Sequence, residues 1–296
     1  YGSNPEALVV ILEGLGEAAV EWAASQPWID FISGSYGDSL ARPCNDDGPN
    51  AVCGSREYRH TGPFVLRDGR TALFSAGNGA SRTGLAYDRY SSLRPTSGPS
   101  WVVTVGAASP RNGQDYGWHS VPVDVSSYGN HWPAAAAFTT NGERVFSGTS
   151  NATPVTAGVF SKALLESRRA LKDRREGIHE LRDGTRVPAA GRRGPGMLAD
   201  GVLTRLELQD AVFKTAFPEA FDAERWTYDP TVVPDSPAYY TQEGYGIANV
   251  ASGLRAIDVI FGRAPMPDRA EVDAWIARID GVRDMVYPPD RYDGIE

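Results

Sequence analysis

The sequence predicts an α/β fold, a parallel sheet with flanking helices, and three observations carry that expectation. Apolar runs of strand length recur at 6–12, 28–33, 71–75 and 101–107, and they are nearly continuous, as in strands buried on both faces. Stretches with helical spacing of apolar residues alternate with or follow them, at 16–25, from Ser150 to Leu165, at 203–217 and at 249–260. Three glycine-bearing segments, Ser35–Gly37, Ala76–Gly79 and Gly148–Ser150, lie at or just after apolar strands. In a parallel sheet they converge at the C-terminal edge, where ligands bind.

The chain has 296 residues, enough for one large domain or two ordinary ones. Its composition, 41% hydrophobic and 22% charged, is that of a globular protein with a substantial core. A net charge of −8 argues against nucleic acid or an anionic membrane surface as the main partner. No apolar run approaches the ~20 residues of a membrane span, and the N-terminus lacks the pattern of a signal peptide. Cys44 and Cys53 lie in a loop rich in Pro, Asn, Asp and Gly. A disulfide closing that loop suits an oxidising compartment, and two free thiols are the alternative. There is no zinc-type Cys/His cluster.

In order, E-A-L-V-V-I-L at 6–12 reads as a buried parallel strand, and 16–25 as a helix burying Ala19, Val20, Trp22 and Ala23. With the strand at 28–33 they make a βαβ unit. Residues 38–63 are loop-like, and strands follow at 71–75 and 101–107. Residues 109–140 carry turn signals and short alternation. The segment 168–193 is rich in Arg and Lys and reads as a solvated helix end leading into a surface loop; a cleavage-prone or partner-binding loop is the alternative. Leu203–Phe217 and Asn249–Ile260 read as helices, and a charged helix near Arg269–Ile279 precedes a Pro/Asp/Tyr-rich end.

Val145–Phe160 reads as a short strand, Gly148 as a hinge, and Thr149 and Ser150 as the opening of a helix. Unpaired N–H groups and the helix dipole favour negative charge there. A serine so placed can attack a carbonyl while the helix end helps hold the oxyanion; a plain helix cap uses the same residues. Asn78, flanked by Gly77 and Gly79 after a strand, can aim its amide at a developing oxyanion, although A-G-N-G alone is also an ordinary turn.

Taken together, G-T-S-N-A-T-P-V-T-A-G at 148–158 resembles the nucleophile motif of the subtilisin-like serine proteases, the subtilases. S-A-G-N-G at 75–79 is similar to their oxyanion-asparagine strand, and G-S-Y-G at 34–37 to their substrate-binding strand. W-V-V-T-V-G-A at 101–107, D-V-S-S-Y-G at 124–129, L-Q-D-A-V-F-K-T-A at 208–216 and G-Y-G-I-A-N-V at 244–250 follow in the family's order. The resemblance implies Ser150 as nucleophile and Asn78 as oxyanion donor beside the Ser150 N–H. It implies that the backbone of Ser35, Tyr36 and Gly37 pairs with an extended peptide, and that Ala76 and Gly77 line a pocket wall. It divides the chain into the C-terminal portion of a peptidase domain at 1–262, with 168–202 a basic surface loop or insertion, and an extension at 263–296.

The sequence departs from the family pattern at Asn151 and Val155, which are packing positions, and at Pro133–Ala136, where a turn is altered. The larger departure concerns the base. The family's Asp and His stand in D-[ST]-G and H-G-T contexts upstream of the strand at 6–12. His60, His119, His131 and His179 all lie downstream and none precedes Gly-Thr; the Asp-Gly pairs at 47–48, 68–69 and 183–184 read as turns.

The resemblance therefore implies that Asp and His come from an upstream segment or a separate chain of the same protease, with Tyr1 at an exposed connection of the kind that is nicked. Without that segment one side of the sheet would be unpaired, and the chain is not expected to fold or cut alone. The expected substrate is an extended peptide or protein, the expected location extracellular, and no cofactor is needed for the chemistry. Calcium often stabilises this family, and Asn45–Asp47 is its one candidate loop; no metal ligand set is assigned. A catalytically inactive peptide-binding relative is the alternative function. A different α/β hydrolase lacks support, since G-x-S-x-G is missing around Ser150.

Overall fold

The computed structural model describes residues 4–12, 17–36, 65, 69–76, 101–108, 123–129, 132–135, 143–171, 179–180, 186–187, 193–217, 244–274, 276–277 and 280. After helix α1 (Glu17–Ser25), four strands form one parallel sheet: β1 (Phe31–Gly34), β2 (Thr71–Ser75), β3 (Val102–Ala108) and β4 (Val125–Tyr128). They lie in the spatial order β1-β2-β3-β4, with Gly34 opposite Phe74, Ser75 opposite Val105, and Ala108 opposite Tyr128. An antiparallel hairpin, β5 (Trp132–Ala135) and β6 (Glu143–Phe146), then delivers the chain to the long helix α2 (Thr149–Leu171). A two-residue ladder, β7 (His179–Glu180) and β8 (Arg186–Val187), precedes the closing helices α3 (Arg205–Lys214) and α4 (Val250–Ile260).

The near-continuous apolar runs of β2 and β3 are buried on both faces, as their pattern predicts, whereas β1 at the edge is buried only in part. On one face Leu73, Val103, Val105 and Val125 pack with Val159, Phe160 and Ala163 of α2 and with Leu208, Val212 and Phe213 of α3. On the other, Ala72, Phe74 and Val102 pack with Val20 and Ala24 of α1 and with Val65 and Trp101. Edge-to-face rings run from Phe31 to Phe160 (6.2 Å) and on to Phe213 (6.0 Å), tying β1 through α2 to α3. Both closing helices begin in a capping box, Thr204 with Glu207 and Asn249 with Ser252.

The two edges of the sheet are finished differently. Along β4, the Ser126 N–H donates to the Gly246 carbonyl (2.9 Å) and the Ala248 N–H to the Ser126 carbonyl (2.7 Å), so residues 244–248 cover that edge. Beyond them, Val272 is buried, the Tyr245 hydroxyl meets Asp273, and Arg269 Nη2 donates to the Ala216 carbonyl at 2.7 Å. Burial and the Asp273 carboxylate push the Tyr245 phenol far above its ordinary range, so it stays a donor. The outer edge of β1 has no described strand beside it.

That open edge bears on the one strand expectation the structure corrects. Residues 7–12 are not in a strand, and Leu8 and Ile11 are 87% and 88% exposed. The expected βαβ unit therefore lacks its first strand. An isolated apolar segment has no ladder for its backbone groups, and periodicity cannot supply one. What holds this segment is polar: Asn4 Nδ2 donates to Ser161 Oγ (2.9 Å), and Glu6 pairs with Lys162 (3.2 Å) and Arg169, all on α2. Trp22, expected in the core, is 44% exposed and packs edge-to-face on Trp28, while Val20, Ala23 and Ala24 take the buried face of α1. Helix α2 also runs past Leu165 to Leu171, so Arg168 and Arg169 lie on it; Arg168 forks onto Asp30. Cys44, Cys53 and the Asn45–Asp47 candidate lie outside the described residues.

Candidate active site

All four strands are parallel, so their C-terminal ends share one edge, and α2 starts there. Ser35 follows β1, Ala76 follows β2 and is buried, and Gly129 follows β4. The Ala76 N–H donates to the Val105 carbonyl (2.9 Å), so β2 stays paired until its last step. Gly37, Gly77 and Asn78 lie outside the described residues; Ser35, Tyr36, Ala76 and Gly148–Ser150 lie within them.

The turn into α2 is built by close backbone approach. Gly148 has φ +90°, a conformation that side chains resist, which is why the hinge is glycine. Its N–H donates to the Gly129 carbonyl (2.5 Å), and its own carbonyl accepts from the N–H groups of Asn151 (3.0 Å) and Ala152 (3.2 Å). Asn151 Nδ2 adds a bond to the Tyr128 carbonyl (3.3 Å). Thr149 and Asn151 are buried, whereas Ser150 between them is partly exposed. The turn is thus anchored on both sides of the residue that reaches solvent.

Ser150 faces the end of β1. Its Oγ donates to the Ser35 carbonyl (3.3 Å), and Ser35 Oγ donates to the Ser150 carbonyl (2.7 Å). Among the described residues the Ser150 N–H has no acceptor, as expected in the first turn of a helix. The first turn of α2 holds no acidic residue and the last holds Arg168 and Arg169, so the dipole at Ser150 is not offset by a local carboxylate. No described His or carboxylate is hydrogen-bonded to Ser150 Oγ. The Tyr36 ring meets Phe74 edge-on at 5.6 Å, which fixes the residue after Ser35 against β2.

The structure thus brings Ser35 and Ser150 together, with Tyr36 and Ala76 at the same C-terminal edge of the sheet. The sequence reading assigned Ser35 through its backbone alone and missed its side chain. A signal was present in Pro154, four residues after Ser150, which cannot donate to the Ser150 carbonyl.

The family model described as the subtilase family matches residues 13–176. No curated protein matches. Among solved structures, the prenylagaramide maturation protease PagA is 17% identical, with a TM-score of 0.48, over 83% of this chain and 69% of that one.

Proposed function

The chain belongs to the subtilase family of serine peptidases, and on that premise we propose that it is the nucleophile-bearing part of a serine endopeptidase. Ser150 Oγ attacks the scissile carbonyl and forms an acyl-enzyme that water then hydrolyses. The observation that carries this reading is the placement of Ser150 in the first turn of α2, partly exposed, with its hydroxyl against the end of β1. Its N–H is open to an oxyanion, and Asn78, two residues past Ala76, supplies the second donor. The backbone of Ser35, Tyr36 and Gly37, next in the chain after β1, would pair with the substrate as an added strand, and Ala76 and Gly77 would form a wall beside the scissile residue.

A serine hydroxyl is a weak nucleophile until a base takes its proton. D-[ST]-G and H-G-T are absent from this sequence, so the Asp and His come from another segment of the same protease. Expected companions of this reading are an extracellular location and a Cys44–Cys53 disulfide. Calcium would be structural at most. The test is peptide hydrolysis by the protease assembled with that segment. Ser150→Ala should lower turnover by about 10⁶, and Asn78→Ala by about 10²–10³. An assembled protein that binds peptides but leaves them intact would instead be an inactive peptide-binding relative.

A further inference from the structure

In a regular α-helix the carbonyl of one residue accepts from the N–H four residues on. For Ser150 that residue is Pro154, which has no N–H, yet α2 continues unbroken through it to Leu171. Neighbouring helical carbonyls receive hydroxyl donors from within α2: Thr153 Oγ1 reaches the Thr149 carbonyl at 2.8 Å and Thr156 Oγ1 the Ala152 carbonyl at 3.0 Å. The Ser150 carbonyl is served from outside the helix, by Ser35 Oγ at 2.7 Å, 115 positions away in sequence.

We infer that Pro154 and Ser35 form a positioning pair: the proline frees the carbonyl of Ser150, and the Ser35 hydroxyl takes it, latching the end of β1 to the nucleophile turn. The inference rests on the reading of Ser150 as nucleophile. The two bonds of the latch differ in what the reaction asks of them. Ser150 Oγ must leave the Ser35 carbonyl (3.3 Å) to hand its proton to the base, whereas the shorter bond ends on a backbone carbonyl and persists throughout. It holds the strand that aligns the substrate at a set distance from the attacking oxygen, and small displacements there cost rate more than binding. Ser35 and Pro154 are positioning residues, since neither side chain needs to touch the reacting atoms.

The test is a double-mutant cycle on the full assembled protease: wild type, Ser35→Ala, Pro154→Ala and the pair. The readout is the maximal rate of covalent modification of Ser150 by a fluorophosphonate, separated from its half-saturating concentration, with Tm measured in parallel. Ser35→Ala should slow the maximal rate about three- to tenfold, the loss of one hydrogen bond, with half-saturation unchanged. In the Pro154→Ala background the N–H of residue 154 takes the carbonyl, so the same change should cost less than about twofold. Ser35→Thr, which keeps the hydroxyl, should restore most of the rate. Equal losses in both backgrounds, or coupling that shows in Tm and not in rate, would overturn the inference and leave the nucleophile assignment standing. A wild-type enzyme that is never modified at Ser150 would overturn both.

Discussion

The two edges of the sheet invite comparison. At β4 the edge is closed by residues 244–248, and Val123, Val125, Tyr245 and Ile247 there are buried. At β1 the edge has no described strand beside it, Ser33 is exposed, and residues 8–12 stand in water. L-V-V-I-L is as apolar as V-V-T-V-G-A-A of β3, every residue of which is buried. What separates them is a partner. A strand is a property of two segments, and an apolar run becomes one only where another backbone meets its hydrogen bonds. The edge carrying the closing helices is complete within this chain, whereas the edge leading to the nucleophile is not complete among the described residues.

Four substitutions and one titration sharpen that contrast. Phe160→Ala, at the buried junction of β1, α2 and α3, should cost about 3–5 kcal/mol by chemical denaturation. Gly244→Ala follows: φ is +60° and a Cβ would lie 2.1 Å from the Asp124 carbonyl oxygen, so the segment covering β4 must shift, at about 2–4 kcal/mol. Arg168→Ala, which removes the fork that holds Asp30 just before β1, should cost about 1–2 kcal/mol, since both side chains are only 18% exposed. Ile11→Ser should cost about 1–2 kcal/mol in the protease assembled with a strand over that run, where Ile11 would be buried. A cost below about 0.5 kcal/mol in that assembly would mean the run stays in water there.

The smallest effect is electrostatic. The Arg169 guanidinium, with Lys162, holds the Glu6 carboxyl below the ordinary carboxylate range. A depressed carboxyl stabilises the docked form at pH values above its ordinary pKa and ceases to do so as pH falls through the lowered one. Amide protection over residues 4–12, taken relative to the intrinsic exchange rate at each pH, should therefore fall as pH drops through the lowered Glu6 range and with added salt, while protection in β3 stays unchanged.

Much of the fold was legible because it rests on local pattern. β2, β3, α3 and α4 lie where apolar spacing places them, and Gly148 takes the hinge its sequence announces. The segment 6–12 was misread because periodicity reports the burial a segment would accept and is silent on whether a neighbour exists. Trp22 was misread because a short helix presents too few residues to fix which face is covered. At the site, Ser150 and Ser35 were legible as motif residues, and the bond between them was not, since it joins chain positions 115 apart. Pro154 held half of that information, in the N–H it lacks.

The most direct test of the central claim, that Ser150 is a nucleophile whose base comes from another segment, is fluorophosphonate modification read by peptide-resolved mass spectrometry. One adduct is expected, on Ser150, formed rapidly in the protease assembled with its Asp/His-bearing segment, slowly or not at all in this chain alone, and never in Ser150→Ala. An assembled protease left unmodified at Ser150, or equal rates with and without the segment, would contradict it.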